Sequence, residues 1–157
     1  MANITMTSQD AMSAKEAECY VKIDNRRYNM MNMIDFTANF EVKSTKVPIL
    51  GKTGQGNKST GWSGTWSATC HYNVSIMREL ALKYKNTGVE TFFEIQVTNE
   101  DPTTSLGRQT VVFQNARLDK MILAKFDASK DDYLDEDMSG TFDDFEMPEE
   151  FALLLGM

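Results

Sequence analysis

Hydrophobic and polar side chains alternate along most of this chain, the period of a strand with one buried face and one wet face. The clearest run places Ile34, Phe36, Ala38, Phe40 and Val42 on one side and Asp35, Thr37, Asn39, Glu41 and Lys43 on the other. Trp66, Ala68, Cys70 and Tyr72 alternate with Ser67, Thr69 and His71, which predicts a second such strand. Alternation returns over residues 91–98, where Phe93, Ile95 and Val97 point inward, and over 110–115, 117–126 and 138–145. Near the start, Cys19, Val21 and Ile23 alternate with Tyr20 and Lys22 as far as Asp24-Asn25. Those two residues tolerate positive φ, so the segment predicts a β-hairpin.

One stretch changes period. Ile76, Met77, Leu80, Ala81 and Tyr84 form an apolar helical stripe, with Ser75 as the expected N-cap, Gly88 as the stop and Glu79 with Lys83 as an i,i+4 pair. The expected fold is therefore mainly β with one helix. It reads as an antiparallel β-sandwich or open barrel of about seven strands, flanked by the helix. Too few helices are present for parallel βαβ winding.

Three segments fall outside the alternation. Residues 1–16 are polar and read as a loose N-terminal arm, and 152–157 as a short C-terminal end. Residues 44–61, with Pro48 and four glycines, read as a long loop within a single 17–151 domain. Within that loop Val47, Ile49 and Leu50 are apolar without local need, and Lys46, Lys52 and Lys58 face no acid.

Composition narrows the class. A chain of 157 residues with 41% hydrophobic and 25% charged residues has the material for one folded core. The net charge of −7 is uneven, because residues 127–157 hold eleven acids against one base. With no basic run, the electrostatic footprint of a nucleic-acid grip is missing. Cys19 and Cys70 read as buried apolar residues rather than a disulfide scaffold. The N-terminus does not read as a signal peptide, and membrane insertion is not expected.

Candidate chemistry is sparse. Gly51-Lys52-Thr53 lacks the upstream glycine and following helix of a phosphate loop, and Gly54-x-Gly56 ends in Ser59. Asp127, Ser129, Asp131 and Asp135 imitate a calcium loop, yet Asp132 occupies the glycine position and Met138 the glutamate position. His71 is the single histidine, and neighbouring Cys70 belongs to the opposite strand face. The acids single out no catalytic pair. No catalytic, metal or cofactor-binding residues are assigned, and the chain is not expected to be an enzyme. Trp62 and Trp66, in TGWSGTW, read either as core aromatics or as a stacking platform for a glycan or peptide.

TGWSGTW (60–66), RELALKYKNTG (78–88), FEIQVTNEDPTTSLGRQTVV (93–112) and GTFDDFEMPEEF (140–151) together carry a specific likeness. In that order they resemble the tail tube proteins of PBSX-like contractile phages and phage-tail-like bacteriocins, the XkdM type, over roughly residues 15–151. The resemblance implies a tail tube fold related to Hcp tubes: hexameric rings stack into a hollow conduit for DNA or ions, each subunit giving four strands to the inner barrel. It implies self-association, a sheath protein, tape measure and baseplate or terminator proteins as partners, with DNA only as transient cargo. The place implied is a virion tail or tail-like particle assembled in the bacterial host cytoplasm. On this reading the 1–16 arm and the 44–61 loop reach neighbouring subunits, and Val47, Pro48, Ile49, Leu50, Lys52, Lys58 and Trp62 make inter-subunit or inter-ring contacts. Full burial in the polymer is worth on the order of 1.5 to 3 kcal/mol for each large apolar side chain. The competing reading is a monomeric β-sandwich module that binds a glycan or peptide through Trp62 and Trp66.

Overall fold

The computed structural model describes residues 4–157. The first three residues of the expected N-terminal arm lie outside the described residues. Eight strands form one antiparallel sheet: β1 (Ala17–Ile23), β2 (Arg26–Asn29), β3 (Met33–Val47), β4 (Gly56–His71), β5 (Phe93–Glu100), β6 (Arg108–Met121), β7 (Asp135–Phe142) and β8 (Asp144–Glu149). The order is β2-β1-β5-β6-β7-β4-β3, with β8 also on β6, and the sheet does not close. Helix α1 (Ile76–Thr87) connects β4 to β5.

β6 belongs to two halves of this sheet. Its first part pairs with β5 as far as Ala116 and with β8 from Thr110 to Gln114, whereas Arg117–Met121 pairs with β7. Asn115 sits at the junction with φ 51, and Asp143 interrupts β7 and β8 opposite it, donating its N–H to the Gln114 carbonyl at 3.2 Å. The two expected strands at 110–115 and 117–126 are therefore one bent strand, and the expected strand at 138–145 is divided. The merger and the division offset each other, and the described residues form eight strands where about seven were expected.

The bend folds the halves over a shared core. In a flat sheet β4 and β5 would lie about 14 Å apart, three strand spacings. Instead Trp66 on β4 meets Phe93 on β5 edge-on at 6.0 Å, and Phe36 on β3 approaches Phe113 on β6 at 5.8 Å. Val21, Ile95, Ala68, Cys70, Met77 and Phe142 complete much of the buried cluster. In β4 Trp66, Ala68 and Cys70 are buried and alternate with exposed Thr65 and Ser67 and half-buried Thr69 and His71, whereas Tyr72 is half-buried and lies beyond the strand. Of the five side chains expected to face inward from β3, Phe36 and Ala38 pack against the core, whereas Ile34 lies at a register shift and Phe40 and Val42 lie beyond the covering half.

Two local expectations change. Ser75 precedes α1 without a side-chain cap; its carbonyl accepts the Glu79 N–H, while Gly88 ends the helix at φ 72 as its sequence position requires. Lys83 approaches Asp24 at 4.0 Å instead of pairing with Glu79. The helix is anchored by Arg78, which forms an ion pair with the buried Glu136 on β7, donates to the Val74 carbonyl at 2.6 Å and lies over the Tyr72 ring at 4.5 Å.

Candidate assembly interface

The larger correction concerns residues 44–61. They are not a long loop: β3 and β4 stay paired from Met33↔Cys70 to Val47↔Gly56, leaving only 48–55 outside the ladder. The last β4–β7 pair is Gly64↔Phe142, so the hairpin beyond it is a two-stranded ribbon, the arm, with no third strand among the described residues. From Glu41 to Val47 it extends about 20 Å at the rise of a strand. Its Ser/Thr/Lys composition pairs through the backbone without burying either face, which is why hydrophobic alternation fails to reveal it. A register shift at Lys43/Ser44, with Gly61 at φ 148, bends the ribbon near its root.

The structure divides the residues expected to make contacts. Val47, Pro48, Ile49, Leu50, Lys52 and Lys58 gather at the distal end, where Leu50 is fully exposed and Ile49 45% exposed. Ile49 folds back on Gly56, leaving only 3.2 Å between its Cδ1 and the place a Cβ would occupy. Trp62 stands apart at the root. It stacks on Phe40 at 5.0 Å and meets Phe145 edge-on at 5.9 Å, while remaining 39% exposed. Trp66 is 2% exposed, so the two tryptophans form no shared external platform for a glycan.

The half formed by β3, β4, β7 and Arg117–Met121 has a second face opposite the core. Cross-strand registers there bring together Thr37, Ser67 and Ser139 in one row and Asp35, Thr69 and Asp137 in another. The Thr69 hydroxyl donates to Asp137 Oδ1 at 2.8 Å. Small polar side chains thus cover a wet sheet surface. Both outer edges of this half are open among the described residues: β3 pairs only with β4, and the β5 ladder stops at Ala116, before Arg117. Open edges of this length invite pairing with another chain. Beside the second edge lies a notch lined by Leu80, Tyr84, Glu90 and Arg117, with Arg117 Nε 3.0 Å from Glu90 Oε1.

The N-terminal segment is also tied down more than its sequence announces. Asp10 Oδ1 accepts from the Ser105 N–H at 3.0 Å and hydroxyl at 2.9 Å, and Ser13 N–H donates to Asp101 Oδ2 at 3.0 Å. These bonds hold both carboxyls below the ordinary aspartate value, for Asp10 chiefly through Ser105 and for Asp101 through Thr103 and Ser13. The sequence reading missed this link because its partners are about ninety residues apart. Among the described residues no group of three His, Cys, Asp or Glu side chains is arranged to hold a metal. Burial pushes the Cys19 thiol up to about 12 and the Cys70 thiol up to about 11.

A family model described as "Phage tail tube protein" matches residues 4–149. The chain belongs to the phage tail tube protein family. It is 27% identical over 149 residues to the phage-like element PBSX protein XkdM of Bacillus subtilis (strain 168), covering 95% of this chain and 98% of that protein. Its fold is similar to a chain in the extended-state sheath/tube terminator of the extracellular contractile injection system PVC, with TM-score 0.68 and 10% identity over 91% of this chain and 100% of the other. It is also similar to a chain of the extended PVC sheath–tube complex, with TM-score 0.66 and 12% identity over 92% and 98% of the two chains. Membership gives the protein a structural role in a tail tube. No described helix is long and apolar enough to cross a membrane.

Proposed function

We propose that the chain polymerises as stacked hexameric rings that form the inner tube of a contractile tail or tail-like particle, a passive conduit for DNA or ions. The observation that carries this reading is the four-stranded half with two open edges. Joining the β3 edge of one copy to the Arg117–Met121 edge of the next satisfies both rows of backbone groups and continues the sheet around a ring. The core-distal face, with Thr37, Ser67, Ser139 and Thr141, then turns to the lumen as a small-residue, hydroxyl-rich lining. Acids on that face, Asp35 and Asp137 among them, would repel passing phosphate.

The arm supplies contacts between copies, with Val47, Pro48, Ile49, Leu50, Lys52 and Lys58 at its end and Trp62 at its root. A two-stranded ribbon alone in water is marginal, so a neighbouring surface would stabilise it. Sheath, tape measure and baseplate or terminator proteins are the further partners, and DNA is transient cargo. The work is mechanical and needs neither cofactor nor catalysis; the particle assembles in the host cytoplasm. Negative-stain electron microscopy of the purified chain over a concentration series tests the reading. Rings and hollow tubes of uniform width are expected, and a monomer persisting to millimolar concentration overturns it.

A further inference from the structure

The arm and the segment between β6 and β7 lie at opposite ends of the same four strands. β3 and β4 leave the body at Gly64 toward the arm, whereas β7 begins at Asp135 opposite His71 and β6 ends at Met121 opposite Met138. Residues 122–134 therefore emerge from the far end. They carry three exposed apolar side chains, Leu123 at 67%, Phe126 at 89% and Tyr133 at 61% exposure. These stand among Asp127, Asp131 and Asp132, all exposed.

The charges at the two ends differ in sign. Lys43, Lys46, Lys52 and Lys58 lie on the arm, with Glu41 as the single acid at its root, and none of the four makes an ion pair among the described residues. At the far end Lys125 is taken by Asp135 at 2.9 Å and Glu136 by Arg78. Asp127, Asp131, Asp132 and the exposed Asp137 remain, against Lys120 and Lys130. Each end combines apolar anchors with an excess of charge, and the signs of the two excesses are opposite.

We infer that the arm of one copy seats on the 122–134 segment of a second copy, head to tail, so that Ile49 and Leu50 cover Leu123, Phe126 and Tyr133 while the arm lysines face Asp127, Asp131 and Asp132. This rests on the tube reading and adds where the arm lands and what holds it. Two arms repel one another and two acidic ends repel one another, so only unlike ends join. A head-to-tail contact uses different surfaces on its two sides and repeats without closing, as axial stacking requires. Opposite charges at the rim set direction and approach rate, while the apolar anchors resist separation.

Cross-linking in the full chain tests this. Leu50→Cys and Phe126→Cys are introduced together and oxidised after assembly; Cys19 and Cys70, with thiols raised to about 12 and about 11, stay protonated and silent at neutral pH. A non-reducing gel should show a ladder running well beyond one ring, with dimers at most from either single variant. In parallel, Lys46→Glu with Lys58→Glu should leave isolated rings and raise the concentration needed for tubes by at least about tenfold. Adding Asp131→Lys and Asp132→Lys to that variant should restore tubes. A ladder that ends at a closed ring, unlinked copies in visible tubes, or a folded fourfold variant that still fails to stack overturns the head-to-tail contact and leaves the tube reading standing. If the wild-type chain forms no polymer at any concentration, both fall.

Discussion

β4 carries two unlike regions within one continuous strand. From Gly64 to His71 it is flanked by β3 and β7, and every second side chain, Trp66, Ala68 and Cys70, enters the core. From Gly56 to Ser63 it has only β3 beside it, and apart from Trp62 at its root it carries no large apolar side chain. The inner region is stabilised within one copy by burial. The outer region has backbone pairing but little transfer of apolar surface from water, so burial within one copy adds little to its stability. On the proposed reading the same strand serves folding at one end and association at the other.

Substitutions should separate the two regions. The largest effect is expected for Trp66→Ala, which removes the ring packed against Phe36 and Phe93 and should cost about 3 to 5 kcal/mol, read as a lower urea midpoint. Ile49→Asp on the arm should change the urea midpoint by less than about 0.5 kcal/mol. It should nevertheless weaken assembly by about 1.5 to 3 kcal/mol, at least roughly tenfold in the concentration at which tubes appear. Equal losses of folding and assembly for Ile49→Asp would erase the comparison.

The smallest effect concerns acid. Arg108 holds the Glu149 carboxyl below its ordinary value, helped by the Thr110 hydroxyl, across the β6–β8 ladder. A depressed carboxyl stabilises the fold above its ordinary titration range, and that stability is lost as pH falls through 4.5 and below. Thermal melts should therefore show a slightly smaller drop between pH 6 and pH 3 for Glu149→Gln than for the wild type, while assembly at neutral pH stays unchanged. The pair is exposed, so high salt should shrink even this difference.

What the sequence reveals follows the same division. Alternation marks a strand when one face is buried, and it located Phe36, Ala38, Trp66, Ala68, Cys70, Phe93 and Ile95 correctly as core positions. Ser44 to Val47 and Gly56 to Gly61 bury neither face, so their glycines and lysines look like a loop although their backbones are paired. The exposed apolar group at Val47, Ile49 and Leu50 is legible because nothing local accounts for it. The open edge at Arg117–Met121 is not, since it exists only because β5 ends opposite Ala116, a matter of strand length rather than residue type. The ties from Asp10 and Ser13 to the 101–105 turn are equally invisible, because side chains so common in turns give no sign of a distant partner.

The bend at Asn115 also bears on stiffness. One uninterrupted backbone, β6, runs from the half that contains β5 and β8 into the half with open edges, crossing at Asn115. A shear applied to either half passes directly along covalent bonds to the other. Sliding one half past the other would strain the continuous β6 backbone at Asn115 and the ladders that hold it in each half, so this connection restrains relative movement of the halves.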